Sequence, residues 1–359
     1  MQLSIAILGA GLMGTSIAAA HLRCGFSVFL YDSADSVLQT ASQRVAEELR
    51  LQNESFEKTH LKLSRNIETV FSCPIIIETI TEKLKAKQKL YRLLQHTANS
   101  QTPYLFSNTS TISISHLAEV LEPDWRQRFC GFHFFHPVRQ RSLIEIIAGD
   151  ETVSETITLA REHAHQIEKQ TITVGDSPGF LVNRILNSYL NSALILLEKG
   201  IDLNRIENLA TKFGMKMGPF RIMDEIGLDV VLHAGWVLFK AFPDRVHNSS
   251  LLLKLVESGW LGRKTGRGFM LYPNTVSWDG IGVTNPELPI IISDSNISDD
   301  EIIQHLFIPM YEESVRCYDD GVINDLADAD FASIHALGFP PEKKGIVSWG
   351  TKIVNNLKK

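Results

Sequence analysis

Three glycines near the amino terminus have the spacing of a nucleotide-binding turn. Gly9, Gly11 and Gly14 follow a short apolar run and precede a helical pattern. Glycines at this spacing permit a tight turn and let backbone N–H groups at a helix start approach a pyrophosphate. Asp32 closes the next strand-like run, near the roughly 20-residue spacing expected of an acid that binds a ribose 2′-hydroxyl. A carboxylate repels a 2′-phosphate, so the pattern predicts NAD as the cofactor rather than NADP.

A histidine and a carboxylate form the second candidate for chemistry. His133 lies in the strand-like run Phe129–Phe135, and Glu145 is the one carboxylate in the run Leu143–Ile147. A buried carboxylate needs a partner, and pairing with Glu145 would fix the His133 tautomer and suit it to act as a general base. The alternative is a core histidine and a glutamate on an exposed edge strand. His136 lies three residues after His133, on the opposite face of a strand, so no metal site is predicted.

A third segment carries an amide at a helix start. Ser177 followed by Pro178 is typical of a helix amino terminus, and the apolar spacing continues the helix to about Glu198. Asn183 lies in the first turn of this predicted helix. One interpretation is that its side chain caps the helix or faces solvent. The other is that the side-chain amide points into a ligand cleft between domains.

Strand-like and helical patterns alternate around these residues. A buried-type strand is predicted over Cys73–Thr79 and a further strand over Tyr104–Phe106, with helices over about Val37–Arg50 and Glu82–His96. This alternation predicts an α/β fold with a doubly wound, Rossmann-type sheet, followed by an all-α domain. In a later polar helical stretch, His163 and His165 are interpreted as surface residues.

Composition excludes several classes of protein. The chain has 359 residues, is 44% hydrophobic and 21% charged, and carries a formal net charge of -6. This composition excludes a disordered chain, and the acidity argues against a nucleic-acid partner. No run approaches the roughly 18 apolar residues that span a bilayer, so no membrane partner is expected. The four cysteines are widely spaced and the first strand starts at Leu3, which predicts a cytoplasmic protein without a leader peptide.

Five segments together resemble one family. They are Gly9–Gly14, Ser107–Ser110, Gly131–Phe135, Leu143–Glu145 and Asp176–Arg184, in that order and at similar spacing over almost the whole chain. The chain resembles 3-hydroxyacyl-CoA dehydrogenases, most of all the dehydrogenase portion of the bacterial fatty-acid oxidation complex α subunit.

The resemblance implies oxidation of a 3-hydroxyacyl-CoA to a 3-oxoacyl-CoA with NAD, the chemistry of fatty acid β-oxidation. It assigns His133 as the general base, Glu145 as its support, and Ser110 and Asn183 as contacts to the 3-oxygen and thioester region. It also implies a larger set of residues at or near the cofactor: Gly9, Gly11, Leu12, Met13, Gly14, Asp32, Glu82, Lys87, Ser110, His136 and Lys264.

Two departures from the family pattern bear on the substrate. His136 stands where the family usually has asparagine, and the stretch from about Glu47 to Ile67 is shorter and less basic than the usual CoA-binding hairpin. An acyl-carrier-protein thioester or a hydroxy or sugar acid therefore stays open as an alternative substrate. A catalytically silent NAD-binding protein is a further alternative, against which the set Ser110, His133, Glu145 and Asn183 argues.

The last third of the chain repeats a pattern. Gly321 and Pro340 each lie 121 residues after Gly200 and Pro219, at matching positions of two helix–turn segments. The predicted domains are a nucleotide domain over 1–180, helical halves over 181–275 and 301–359, and a linker over 276–300. The second half would serve as an internal pseudo-partner, so either a monomer or a homodimer is expected. A separate enoyl-CoA hydratase or thiolase stays open as a partner.

Overall fold

The computed structural model describes residues 3–54, 60–98, 102–272, 282–289 and 297–357. The chain divides into two compact units, Met1–Phe180 and Leu181–Lys359. The first unit is an α/β sandwich and the second is mainly helical, so the predicted fold class is confirmed.

The first unit is built on an eight-stranded sheet in the order β3-β2-β1-β4-β5-β6-β7-β8. The first six strands are parallel, whereas β7 runs antiparallel to β6 and β8 runs parallel to β7. The carboxyl ends of β1, β4, β5 and β6 therefore meet at one edge of the sheet. The strands are β1 Ser4–Leu8, β2 Ser27–Tyr31, β3 Leu61–Ser64, β4 Ile75–Glu78, β5 Tyr104–Ser107, β6 Phe129–Phe134, β7 Leu143–Ala148 and β8 Gln170–Gly175.

Within the described residues of this unit, the helices are α1 Leu12–Arg23, α2 Asp35–Arg50, α3 Leu84–Thr97, α4 Ile114–Ala118, α5 Pro123–Gln127 and α6 Ser154–Gln166, with a 3₁₀ helix over Ile67–Ser72. The core lies between the sheet and the apolar faces of α1, α2 and α6. Strands β4 and β6 are buried along their whole length, as expected for central strands of a sheet covered on both faces.

The second unit contains the helices α7 Val182–Glu198, α8 Leu203–Phe213, α9 Pro219–Ile226, α10 Leu228–Ala241, α11 Ser250–Glu257, α12 Asp299–Asp319, α13 Leu326–Ala332 and α14 Ile346–Leu357, and the strands β9 Met270–Leu271 and β10 Val283–Thr284. The long helices α7 and α12 pack together. Most of the predicted linker, 276–281 and 290–296, lies outside the described residues, and its described part includes β10, which pairs with β9.

The two long helices of this unit are followed by matching turns. Each ends just before a glycine with positive φ, Gly200 at +88° and Gly321 at +73°. The helix that follows each turn is then capped by an aspartate side chain, Asp202 for α8 and Asp325 for α13.

The similarity of the two segments extends to the α-helix that comes next in each, α9 and α14. Glu207 in α8 accepts a hydrogen bond from Phe220 N at the start of α9, at 2.7 Å. Asp330 in α13 accepts one from Val347 N at the start of α14, at 2.6 Å. In both places, a carboxylate from one helix thus accepts hydrogen bonds from the open N–H groups at the start of a later helix.

Helix α7 begins four residues later than the Ser177–Pro178 pair predicts. Gly179 and Phe180 have left-handed φ values of +75° and +51°, so residues 178–181 form a turn and Val182 is the first helical residue. The predicted end of the helix at Glu198 is confirmed.

Candidate functional site

The glycine turn between β1 and α1 has the geometry that a dinucleotide phosphate needs. Gly9 has a φ of +99°, and a Cβ there would lie 2.9 Å from the Thr79 backbone. A Cβ at Gly14 would overlap the Gly9 carbonyl oxygen, whereas Gly11, the N-cap of α1, has open space in front of it. The start of α1 therefore offers its N–H groups toward an unobstructed space, which fits a pyrophosphate.

Asp32 lies against this turn. Its Oδ2 accepts a hydrogen bond from Ala10 N and its Oδ1 from Ala34 N, both at 2.9 Å. The carboxylate is thereby held at the end of β2, next to the glycine turn. That placement suits the predicted contact with a ribose hydroxyl. Leu12 is an exposed residue of the same turn and Met13 is half-buried.

A buried charge network lies under the carboxyl edge of the sheet. Glu78, the last residue of β4, accepts hydrogen bonds from Lys87 Nζ and Tyr91 OH at 2.7 Å and from Ser107 Oγ at 2.8 Å. Lys87 is 1% exposed and also lies 3.4 Å from Glu82. The predicted cofactor residue Lys87 is therefore a buried ion-pair partner. Glu78 was absent from the sequence-based site, although its position at the end of the apolar run Ile75–Ile77 is the signal that identifies it.

Glu82 organises the turn that follows β5. Its Oε1 accepts hydrogen bonds from Thr109 Oγ1 at 2.7 Å, Ser110 N at 2.8 Å and Thr111 N at 3.0 Å. Burial acts to raise the pKa of Glu82, but the Lys87 ammonium and these hydrogen bonds outweigh it and lower the pKa. The ionised carboxylate fixes Ser110 at the carboxyl edge of the sheet.

His133 and Glu145 are directly opposed on the antiparallel strands β6 and β7. His133 Nδ1 lies 2.8 Å from Glu145 Oε2, and the two side chains are 4% and 0% exposed. Hydrogen bonding of Nδ1 to the carboxylate leaves Nε2 as the proton acceptor of the neutral ring. Phe135 lies against the His133 ring at a centroid distance of 4.5 Å. The arrangement is a buried base with a fixed tautomer and an anion able to stabilise its protonated form.

The turn after β5 is tied to the end of β6. Asn108 Oδ1 accepts a hydrogen bond from Phe134 N at 2.8 Å, one residue after His133. Ser110, two residues further along, is therefore on the strand end adjacent to the one that carries His133. Three of the predicted features thus occupy one edge of the sheet: the glycine turn, Ser110 and the His133–Glu145 pair.

Comparison with known proteins supports this interpretation. Residues 4–177 match the 3-hydroxyacyl-CoA dehydrogenase NAD binding domain, and residues 179–272 match the C-terminal domain of the same family. The (S)-3-hydroxybutyryl-CoA dehydrogenase of Ralstonia eutropha is 33% identical, with a TM-score of 0.70, over 76% of this chain and 100% of that one. The chain belongs to the 3-hydroxyacyl-CoA dehydrogenase family. Its first unit carries the NAD-binding domain of that family, and NAD is its cofactor.

Longer relatives share both units. The fatty acid oxidation complex subunit alpha of Pseudomonas aeruginosa is 33% identical over 96% of this chain, and the chain spans about half the length of such curated relatives, 50% in this case. The 3-hydroxybutyryl-CoA dehydrogenase structure from Escherichia coli has a TM-score of 0.80 over 98% of this chain and 92% of that one. At 22% identity this second likeness shows a shared fold only.

Two family positions lie in the second unit. Asn183 is the second residue of α7 and is half-buried. Lys264 lies in a 3₁₀ turn, Arg263–Thr265, and forms an ion pair with Asp229 at 2.5 Å.

A buried aspartate holds the loop that carries Lys264. Asp224 in α9 accepts hydrogen bonds from Phe269 N at 3.0 Å, Met270 N at 2.8 Å and Tyr272 OH at 3.1 Å. Burial raises the pKa of Asp224 to about 7 despite these hydrogen bonds. A Cβ at Gly268 would overlap its carboxylate, so the glycine lets the loop reach this anchor.

His163 is not a surface residue, and that prediction is wrong. It is 3% exposed, and its Nε2 lies 2.9 Å from Nε2 of the fully buried His21 in α1. His165, two residues further along α6, is exposed as predicted. Neither His21 nor His163 belongs to the carboxyl-edge site.

No helix in the described ranges combines the length and the apolar character needed to cross a membrane. Within those same ranges, no group of three or more His, Cys, Asp or Glu side chains has an arrangement that could hold a metal ion.

Proposed function

We propose that this protein catalyses the NAD-dependent oxidation of a 3-hydroxyacyl-CoA to the 3-oxoacyl-CoA, as in fatty acid β-oxidation. The observation that carries the proposal is the buried His133–Glu145 pair, which shares one sheet edge with the glycine turn. The names of the related dehydrogenases support the choice of substrate class.

In this proposal His133 Nε2 accepts the proton of the substrate 3-hydroxyl. Glu145 keeps Nδ1 protonated and stabilises the imidazolium that forms, so no uncompensated charge develops in the buried site. Ser110 and Asn183 hold the 3-oxygen and the thioester region, and they orient C3 rather than exchange protons. When bound, NAD supplies the acceptor for the hydride from C3.

Several cofactor contacts belong to the same proposal. The start of α1 and the residues Gly9 to Gly14 hold the pyrophosphate, and Asp32 holds the adenosine ribose. Glu82, Lys87, His136 and Lys264 complete the cofactor site, with Lys87 acting through Glu82 because its ammonium is buried beneath that carboxylate.

A direct spectrophotometric assay of NADH oxidation tests the proposal. The purified chain is expected to oxidise NADH with acetoacetyl-CoA, with little activity on NADPH because Asp32 repels the 2′-phosphate. Acetoacetyl thioesters of CoA and of acyl carrier protein are compared in parallel. Turnover on the carrier-protein thioester alone would contradict the CoA assignment. NADH binding without turnover on either thioester would contradict the enzymatic proposal itself.

We also propose that 181–275 and 301–359 are related halves and that the second half takes the place of a partner subunit. The matched carboxylate anchors Glu207 and Asp330 support this relation. Light scattering is expected to show a monomer. An obligate dimer formed through the first half would contradict it. A separate hydratase or thiolase partner is tested by co-purification.

A further inference from the structure

The connection between β6 and β7 carries three basic side chains within six residues. His136, Arg139 and Arg141 lie between the end of β6 at Phe134 and the start of β7 at Leu143. The connection leaves the carboxyl end of β6, so it belongs to the same sheet edge as the proposed catalytic base. The connection therefore begins at the strand end that carries His133.

Arg139 is neutralised within the fold. Its Nη1 lies 3.1 Å from both carboxylate oxygens of Glu48 in α2, and the side chains are 12% and 15% exposed. A guanidinium bound in this way has its charge compensated by the protein. The charge of Arg139 is therefore largely compensated by Glu48, and little of it remains to attract a ligand.

Lys169 adds positive charge beneath the connection. Its Nζ donates hydrogen bonds to the carbonyl oxygens of Val138 at 2.7 Å and Arg141 at 2.8 Å. Burial lowers the pKa of Lys169 to about 8, with Arg23 contributing in the same direction. Both acceptors are uncharged, so they fix the backbone of the connection without cancelling the ammonium charge.

Arg141 is the remaining cation of the connection. It is only partly exposed, and burial lowers its pKa with no nearby acid acting in the opposite direction. Across the described ranges, no hydrogen bond or ion pair reaches its guanidinium. Partial removal of a guanidinium from water without an anionic partner is unfavourable. The position is therefore suited to an anion that arrives with a ligand.

The charge of Arg141 affects the pKa of His136, as does the charge of Arg139. Burial lowers the pKa of His136, Glu48 opposes that shift, and the charges of both Arg139 and Arg141 add to it. The two guanidinium groups therefore act on the same imidazole, two residues beyond the end of β6. This shared location separates Arg141 from a merely solvent-facing arginine.

The pyrophosphate of the cofactor is not a candidate for this anion. The glycine turn follows β1, and β6 lies three strand positions away in the order β1-β4-β5-β6. At roughly 4.8 Å per strand, this separation is about 14 Å. The phosphates held at the start of α1 thus lie too far along the edge to pair with the β6–β7 connection.

We propose that Arg141 binds an oxyanion of the acyl thioester substrate beside the reacting end of β6. The inference rests on the proposed function and names the substrate feature that this site selects. Two sources share the chemistry: a phosphate of CoA, or a carboxylate at the far end of the acyl chain. The planar guanidinium donates two parallel hydrogen bonds to either group.

The test compares Arg141→Met with the control Arg161→Met in the full chain. Arg161 is an exposed arginine of the same unit, and it donates hydrogen bonds to the hydroxyl of Thr173. Four substrates are assayed with NADH: acetoacetyl-CoA, acetoacetyl-N-acetylcysteamine, which lacks the CoA phosphates, and a matched pair of 3-oxoacyl-CoA thioesters with and without a terminal carboxylate. Melting temperatures confirm that each variant is folded.

Loss of the charged contact is expected to lower kcat/KM by roughly 10- to 100-fold in Arg141→Met. A loss of kcat/KM on the CoA thioesters but not on the N-acetylcysteamine thioester would identify a CoA phosphate as the anion that Arg141 binds. A greater loss of kcat/KM for the carboxylate-bearing thioester than for its neutral match would identify the acyl carboxylate as the bound anion. Arg141→Lys is expected to recover part of the activity because it retains the charge without the planar donor pair.

Two results overturn the inference. One is an equal change, or no change, in kcat/KM on all four substrates. The other is a raised KM for NADH with unchanged discrimination among thioesters, which would assign Arg141 to the cofactor. If the wild-type chain turns over none of the thioesters, the proposed function fails separately. Calorimetry of the same CoA thioesters then tests Arg141, and equal affinity for wild type and Arg141→Met overturns the site.

Discussion

The first unit contains two buried histidine pairs that differ in the partner of the ring. On the sheet, His133 hydrogen bonds to a carboxylate, Glu145, at 2.8 Å. Between the helices α1 and α6, His21 hydrogen bonds to a second imidazole, His163, at 2.9 Å. All four side chains are less than 5% exposed. The partner, and not the depth of burial, separates the two sites.

The ring–ring pair fixes its own protonation state. His21 Nδ1 lies 2.7 Å from the Ile17 carbonyl oxygen, so Nδ1 must carry the proton and Nε2 must accept one from His163. Burial lowers the pKa of His21 to about 4 and that of His163 well below its ordinary value. A proton added to this pair would be an unpaired buried charge, whereas Glu145 compensates a proton added to His133. Only the His–Glu pair is suited to proton transfer.

The sharpest test of this contrast is replacement of each histidine by glutamine. His133→Gln is expected to lower kcat by about 10²- to 10⁴-fold, the usual contribution of a general base. NADH affinity is expected to survive, since the glycine turn is untouched. His163→Gln serves as the matched buried control and is expected to keep turnover within about threefold. Comparable activity of the two variants would remove the distinction between the pairs.

Removal of the charge on Glu145 alone is expected to have a smaller effect. Glu145→Gln keeps the shape of the side chain and a hydrogen-bond acceptor for Nδ1, but it cannot compensate an imidazolium. We expect kcat to fall by roughly 10- to 100-fold, because one charge-assisted hydrogen bond contributes about 1.5–3 kcal/mol. An unchanged kcat would reduce Glu145 to a packing role.

The two pairs also differ in how visible they are in the sequence. The pairing of His133 with Glu145 was predictable because each is the polar exception in an adjacent apolar strand. His163 was assigned to the surface because its neighbours Glu162 and His165 are polar, yet the side chain shares the inward face of α6 with Ala160 and Ala164. Its partner lies 142 residues away along the chain, a pairing that only the folded sheet brings about.

Charges that are buried under the sheet edge were also not predictable from the sequence. In α3, Lys85 and Lys89 are exposed, but Lys87 between them is buried because Glu78 and Glu82 supply two carboxylates for its ammonium. Periodicity locates a helix and its faces, whereas an ion pair between elements depends on strand order. The Rossmann order was predictable from the glycine turn and Asp32, but the depth of Lys87 required the placement of β4 beside α3.

Acidification is expected to destabilise the protein through the ring–ring pair. The unfolded histidine has a pKa near 6.5 and folded His21 one of about 4, so below pH 6.5 the unfolded state binds the extra proton. The stabilisation is complete above that value and is lost as the pH falls toward 4, by about 3 kcal/mol for His21. Urea unfolding of wild type and a His21→Leu/His163→Phe double variant across this range measures it. Parallel pH curves for the two proteins would contradict the assignment.

The smallest effect is expected at His165, which shares α6 with His163 but is exposed. His165→Ala should change the free energy of unfolding by less than about 0.5 kcal/mol at neutral pH and leave turnover unchanged. Urea unfolding of wild type and variant measures the difference, and a loss of more than about 1 kcal/mol would place His165 with the buried histidines.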